Sequence, residues 1–544
     1  MPGTLDALYP SNLVSVFDGV YQTSKKMLGF LPLLPLVPCA SSGQIGVVPL
    51  PSLYTTGNST ICLSNGFSIA FDGKGIPSDL KAAARRTEKQ VKQSKHAYLS
   101  PLRGAEFLLD GRGCEQYVDT LVLSFTTGTG HPAHESIFRE AIKPVEVRAE
   151  LETYKLNVGR GRATMTASSS LGLFRGLATF EQLFYRFDQE IYAPFGPYTI
   201  EDRPTFGWRS VMLDTARHFL PKEVLLRQLD TMALVKLNVF HWHITDATSW
   251  PLHLEAFADL SREAFSYNER YTERDIKEIV QYAGERGIDV VLEIDTPGHT
   301  ASIYAARPDY VACFDAKYTT HANEPPAGQL RFANDSVVDF ATDLYANVAG
   351  LMSSQYVSTG GDEVNVNCMM EDEPTTGILK ANNWTLDQAL DRFADRTHAA
   401  LRAARKTPTV WQEMVLHHNL TSVQNDTIVH TWLAPSDARK VLDKGYRVVH
   451  ASAEYFYLDC GLGGWIGEEG GGNSWCDPYK SWTRIHSFDP FVNVTDSQRE
   501  RVLGGQTSLW AEQVDFTNLE TMLWPQGLPL PRYSGPPPPR RDTP

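Results

Sequence analysis

From about residue 205 to residue 524 the chain repeats one pattern: a short apolar, β-branched run ending in polar or aromatic residues, then a stretch with helical spacing. The runs are SVMLDT, LNVFHWHI, IDVVLEI, YVSTGG, TPTVW, TIVHTW, YRVVHA and QTSLW, eight in all. Runs that stay apolar instead of alternating mark strands covered on both faces, as in parallel sheet. Between them, Pro221 opens PKEVLLRQLDTMALV as a proline at the first helical position, and Thr272 with Asp275 reads as a capping signal before IKEIVQYAGERG. Eight strand–helix units predict an α/β fold, a (β/α)8 TIM barrel, whose functional groups gather at the carboxyl ends of the strands.

Residues 45–200 are patterned differently. Strand-like runs (TLVLSF, PVEVRAELETYKLNV, RATMTAS) mix with the helical SSLGLFRGLATFEQLFYRF, which predicts a smaller α+β domain ahead of a barrel at 201–526. Its basic stretch at 82–95 reads as a solvated helix face. Residues 1–44 hold an extension and a signal-like segment, with Lys25-Lys26 before Met27 and LGFLPLLPLVPCASS. That run is too short and proline-rich to span a bilayer. Residues 527–544 form a Pro- and Arg-rich tail.

The predicted strand ends carry far more chemistry than solvated loops need. Arg217 and His218 follow the first run, His241, His243 and Asp246 end the second, and Asp295 and His299 end the third. Asp362 and Glu363 end the fourth, and Trp411, Trp432, Tyr457 with Asp459, and Trp510 with Glu512 end the others.

Composition narrows the partner. The net charge of −14 comes with no basic stretch dense enough to neutralise a row of phosphates, which excludes nucleic acid. Six Asn-X-Ser/Thr sequons begin at Asn58, Asn334, Asn383, Asn419, Asn425 and Asn493. With 18 asparagines, chance would give roughly two, so six favour a glycosylated chain in the secretory route. Of seven cysteines, Cys39 would leave with the signal, and the other six allow 15 pairings that spacing does not choose among.

Carboxylates, tryptophans and one arginine at strand ends suit a sugar: aromatic faces stack on the ring while Asp, Glu and Arg take its hydroxyls. Glycoside cleavage is the leading chemistry. The two-carboxylate scheme needs acids about 5–10 Å apart across the scissile bond, which adjacent Asp362 and Glu363 do not obviously provide. Substrate assistance suits neighbours better, with the 2-acetamido oxygen of the sugar as nucleophile, one acid holding the acetamide and the other protonating the leaving group.

Several motifs, in order along about residues 45–524, carry a resemblance: SLGLFRGLATFEQL, IEDRPTFGWRSVMLDTARHFLP, KLNVFHWHITD, EIDTPGHT, STGGDEVN, VWQE, HTW, YFYLD and SLWAEQVD. The chain resembles a family 20 glycoside hydrolase, a β-N-acetylhexosaminidase, and YFYLDCGLGGWIGEEGGGNSWCDPYKSW looks most like fungal members. The resemblance implies that Asp362 orients the acetamido nitrogen and Glu363 is general acid, then base. It implies that Tyr457 binds the acetamido oxygen, that Trp411, Trp432 and Trp510 wall the pocket, and that Arg217, Asp459 and Glu512 hold hydroxyls of a non-reducing sugar. His299, between Asp246 and Glu363, would set the acid's proton affinity, giving an acidic optimum.

It further implies disulfides Cys313–Cys368 and Cys460–Cys476, with Cys62–Cys114 in the first domain. No cofactor and no metal are implied. The expected substrates are chitooligosaccharides or glycoconjugates, the expected place is secreted or extracellular, or a vacuole- or lysosome-like compartment, and a homodimer is compatible with the family. One departure stands out: where members continue after LWP into a helix that closes the barrel, this chain has its Pro-rich tail. Apolar strand surface left wet there would cost about 25 cal/mol per Å².

Two rivals remain at this stage. The His241-X-His243 pair on a strand resembles the metal-holding pair of barrel hydrolases, although no further ligands complete a set. A sugar-binding protein without catalysis would have no use for a proton donor, and both Asp362 and Glu363 are present.

Overall fold

The structure is a computed structural model that describes residues 45–93, 114, 116–126, 134–466 and 471–528. The signal-like segment with Cys39 and the tail from residue 529 lie outside the described residues.

The first part is a six-stranded sheet of β1 (Leu53–Asp72), β2 (Gln116–Phe125), β3 (Tyr154–Val158), β4 (Gly161–Ala167), β5 (Tyr185–Phe187) and β6 (Glu190–Asp202), ordered β1-β2-β4-β3-β6-β5. Alternation sets its inner face, as in β3, where Tyr154, Leu156 and Val158 are buried and the residues between are exposed. Helix Ser78–Gln93 turns Leu80, Ala83, Ala84 and Val91 inward while Arg85, Lys89 and Lys92 stay exposed, so the basic stretch is a solvated helix face as far as residue 93.

The second part is a closed barrel of eight parallel strands. These are β7 (Trp208–Asp214), β8 (Val239–Thr245), β11 (Asp289–Ile294), β14 (Tyr356–Ser358), β15 (Thr407–Trp411), β16 (Ile428–Thr431), β17 (Arg447–His450) and β18 (Val502–Leu509), and each expected run supplies one. Every residue of β7, β8, β11 and β18 is buried, which is why these runs do not alternate. Two-stranded pairs brace the loops at the carboxyl end: β9 (Leu252–His253) with β10 (Tyr271–Thr272), and β12 (Val311–Ala312) with β13 (Gln329–Leu330). Trp208, Val239, Tyr356, Ile428 and Val449 fill the opposite end together with Val145 from the first part.

Four local expectations need correction. PVEVRAEL is not a strand but helix Val145–Leu151: its buried residues, Val145 and Arg148, are spaced one helical turn apart, and Arg148 reaches Asp289 in the barrel. The pattern SSLGLFRGLATFEQLFYRF is helical only over Ser170–Gln182, and YRF turns back as β5. Pro221 stands at the N-cap of helix Lys222–Leu234, one position before the place expected. Finally, β18 is not wet: it is buried throughout, and helix Leu519–Leu523 brings buried Leu519 and Leu523 into the same core as Leu509.

Other local expectations match. Thr272 and Asp275 form a reciprocal capping box on helix Glu273–Gly284. The three disulfides are Cys62–Cys114, Cys313–Cys368 and Cys460–Cys476. Among the sequon asparagines, Asn58, Asn383, Asn419, Asn425 and Asn493 are exposed, and half-buried Asn334 caps helix Asp335–Leu351. No helix among the described residues is long and apolar enough to cross a membrane.

Candidate active site

Asp362 and Glu363 leave β14 through Gly360 and Gly361. Gly360 has φ +61°, and a Cβ there would lie 1.9 Å from Asp295 Oδ1, so glycine alone lets the two turns interlock. Gly361 N–H donates to that same oxygen at 2.8 Å. Glu363 (φ +55°) and His299 (φ +51°) hold left-handed backbone although neither is glycine, a local strain of the sort that persists where the surroundings over-determine it.

These turns assemble a relay. His299 Nδ1 lies 3.3 Å from Asp246 Oδ2, and His299 Nε2 lies 3.2 Å from Glu363 Oε2 and 3.9 Å from Asp362 Oδ2. Burial alone would lower the His299 pKa, but Asp246 and Glu363 outweigh it and hold it well above its ordinary value. Burial would raise Glu363, yet His299, helped by Asn323 and Arg217, brings it below the usual glutamate value. The opposite happens next door: burial, then the charge of Asp362, pushes Asp295 well above the carboxylate range. Asp362 is itself raised, chiefly by burial, against the charge of His299 and a side-chain hydrogen bond with Asp295, and its buried Oδ1 receives no N–H or hydroxyl among the described residues.

Arg217 closes the other side. Its Nη1 lies 3.0 Å from Asp246 Oδ2 and 3.3 Å from Asp214 Oδ2, and its Nη2 contacts Glu324 and lies 3.9 Å from Glu512. The guanidinium sits 5.1 Å over the Trp510 ring. Burial pushes Asp459 up to about 7, and the same cause carries Glu512 well above the ordinary value despite Arg217. Tyr457 and Asp459 are placed by a parallel bridge between Tyr457 and Ser508, beside the end of β18. The Cys460–Cys476 bridge follows at once and pins the loop beyond them.

The aromatic wall is continuous. Trp432 stacks on Tyr457 with centroids 6.0 Å apart and planes 9° apart, while Trp510 stands 6.0 Å from Tyr457 and 6.2 Å from Trp411. All the residues expected from sequence therefore gather at one end of the barrel: Asp246, His299, Asp362, Glu363, Tyr457, Arg217, Trp411, Trp432, Asp459, Trp510 and Glu512.

Sequence reasoning passed over Asp214, Glu293, Glu324, Gln412, Glu413 and Trp475. Asp214 and Glu293 did leave a signal, an acid straight after an apolar run, VMLD at the end of β7 and VVLE near the end of β11. Glu324 comes from the long β12–β13 loop, whose path the sequence does not give. Trp475 is 68% exposed at the rim, yet its ring meets those of Trp432 at 5.6 Å and Tyr457 at 6.0 Å.

Glu293 also bears on the metal reading. His241 Nδ1 pairs with Gln506 at 2.9 Å and Nε2 with Glu293 at 3.0 Å, while His243 Nδ1 meets Glu293 at 2.6 Å and Nε2 meets Asp246 at 3.0 Å. All four ring nitrogens thus have protein partners, and the pair works as a buried brace under Asp246.

Comparison with known proteins gives the family and the fold. Residues 206–530 match the family described as "Glycosyl hydrolase family 20, catalytic domain", and residues 47–183 match "beta-acetyl hexosaminidase like". The chain is 32% identical over 448 residues to Beta-hexosaminidase 1 of Coccidioides posadasii, covering 75% of each chain. It is 30% identical over 491 residues to the chitooligosaccharidolytic beta-N-acetylglucosaminidase of Ostrinia furnacalis, covering 86% of this chain and 77% of that one. Among solved structures, Flavobacterium johnsoniae chitobiase shares the fold at TM-score 0.69 and 24% identity, over 89% of this chain and 68% of that one. With a family match over more than half its length and a fungal relative matched across three quarters of both chains, the protein belongs to glycosyl hydrolase family 20.

Proposed function

We propose that the protein is an exo-acting β-N-acetylhexosaminidase that removes terminal N-acetyl-β-D-hexosamine residues from chitooligosaccharides or glycoconjugates by substrate-assisted, retaining catalysis. The observation that carries this reading is Asp362, buried next to Glu363 and near enough to Tyr457 to act on its hydroxyl, with an Oδ1 that receives no N–H or hydroxyl hydrogen bond among the described residues. An acceptor in that condition is costly unless a ligand N–H meets it.

The acetamido oxygen attacks the anomeric carbon as the glycosidic C–O bond breaks, and Glu363 gives its proton to the departing oxygen. The product of that step is an oxazolinium ion, whose N–H and positive charge Asp362 balances and whose oxygen Tyr457 binds. Glu363, now a carboxylate, takes a proton from water as that water adds to the anomeric carbon and opens the ring. Such proton transfer contributes about 10²–10⁴-fold. Arg217, Asp459 and Glu512 hold the ring hydroxyls and limit the site to a chain end. Because His299 lowers the Glu363 pKa, the proton the leaving group needs is present in acid, and the optimum is acidic. Three disulfides and exposed sequons support a secreted chain.

The test is hydrolysis of an aryl N-acetyl-β-glucosaminide against the matching β-glucoside from about pH 3 to pH 8, with and without chelator, for the wild type and Glu363→Gln. Acid-favoured cleavage of only the acetamido substrate, indifferent to chelator and lost in the variant, is expected. Equal cleavage of the two substrates would overturn substrate assistance, and chelator sensitivity would restore the metal reading.

A further inference from the structure

Two buried side chains beside the pocket have no part in the reaction above. Gln412 and Glu413 follow Trp411 at the end of β15, and both turn toward Trp432 at the end of the neighbouring strand β16. Glu413 accepts the Trp432 indole N–H, with Nε1 at 2.8 Å from Oε1 and 3.1 Å from Oε2. Gln412 Oε1 accepts the backbone N–H of Trp432 at 2.8 Å and of Leu433 at 3.2 Å, and Gln412 Nε2 donates to Asp437 Oδ2 at 2.8 Å. Asp437 is tied in turn to Lys440 at 2.7 Å. The backbone of Trp432 is therefore fixed by one residue and the rotation of its ring by the next.

That ring is the one lying parallel to Tyr457. Packing alone would be served by an apolar side chain at position 413, without burying another carboxyl near Asp362 and Glu363. A directional tether to the indole N–H is what Glu413 supplies and an apolar residue does not. We infer that Gln412 and Glu413 are positioning residues that fix the plane of Trp432 and thereby set how large an N-acyl group the pocket admits. The inference rests on the reading of the Trp432–Tyr457 wall as the acetamido pocket.

The experiment uses aryl β-glucosaminides bearing N-acetyl, N-propionyl and N-butyryl groups, with the unacylated β-glucoside as control, on the wild type, Glu413→Gln and Glu413→Leu. In the wild type each added methylene lowers kcat/KM by about tenfold or more, as a fixed wall demands. In Glu413→Leu, kcat/KM on the N-acetyl substrate falls about ten- to a hundredfold, and the N-acetyl to N-butyryl ratio falls about tenfold as the freed ring yields to longer chains. Glu413→Gln keeps an acceptor and restores the ratio. A ratio unchanged in Glu413→Leu, or Glu413→Gln behaving as Glu413→Leu, would overturn the inference while leaving the proposed function standing. Wild type that cleaves the acetamido substrate and the β-glucoside alike would overturn the pocket reading and this inference with it. Should Glu413→Leu not fold, Glu413→Met removes the acceptor at similar length and is read the same way.

Discussion

Buried charge gathers at both ends of the barrel, and the two collections are balanced differently. At the amino ends of the strands, where the first sheet meets the barrel, Arg175 Nε meets Glu152 at 2.8 Å, Arg209 also contacts Glu152, Arg148 contacts Asp289, and Lys236 meets Asp202 at 2.8 Å. Acids and bases alternate there, so Arg209 and Arg175 overcome the burial of Glu152 and lower its pKa. At the carboxyl ends, Asp214, Asp246, Asp295, Asp362, Glu363, Glu324, Glu413, Asp459 and Glu512 share Arg217 and a few histidines. Asp295, Asp459 and Glu512 are pushed up by the same burial, and Asp246 and Glu363, which touch Arg217 or His299, are the acids brought down. Equal desolvation thus yields lowered acids where cations are abundant and raised acids where they are scarce. The seam is built to hold, and the site keeps unmet demand for a ligand.

If that contrast is right, substitutions at the two ends should separate activity from stability. Glu363→Gln is expected to lower kcat by about 10²–10⁴-fold while the unfolding midpoint stays near that of the wild type, because His299 keeps the countercharge of Asp246 at 3.3 Å. Glu152→Gln should do the reverse. It leaves Arg175 and Arg209 buried without a countercharge, at a cost of about 3–5 kcal/mol, read as a lower denaturant midpoint with kcat per folded molecule unchanged. Asp362→Asn removes charge but not shape, and a smaller loss of about 10²–10³-fold in kcat is expected. A Glu152→Gln protein with normal stability and poor turnover would erase the distinction.

The two ends were also unequally legible. Burial on both faces made the eight barrel strands readable as apolar runs, and the residues that finish them, from Arg217 to Glu512, could be named because chemistry at a strand's carboxyl end is recognisable in one dimension. The seam could not be named. Arg148 and Glu152 sit in or next to a segment whose Val-Glu-Val alternation reads as strand, and only the barrel partner Asp289 explains why it coils. Within the site, Glu324 and the Gln412–Glu413 pair escaped for a related reason: their meaning lies in what they touch across the fold, not in spacing along the chain. The family resemblance supplied roles for the recognisable residues and none for these.

The smallest effect sharpens the comparison most, because it sets the raised acids of the site against a lowered acid of the seam in one titration. Burial raises Asp459 to about 7 and Glu413 to about 8, the latter also facing Asp362 and Glu363. Their unfolded values lie near 4, so over the window between, the native state binds more protons than the unfolded chain, and stability falls as pH rises until it is lost above the folded values. Glu152 is lowered, so its contribution is present above its unfolded value and lost as pH falls through the folded one. Unfolding temperatures at fixed ionic strength should therefore decline from about pH 5 to about pH 8, and again at strongly acidic pH. Glu413→Gln should flatten the first decline and leave the second, while Glu152→Gln should lower the whole curve and weaken the second. A Glu413→Gln curve running parallel to the wild type across the neutral range would mean that the carboxyl is not protonated by burial, and the site end would then be no more acid-strained than the seam.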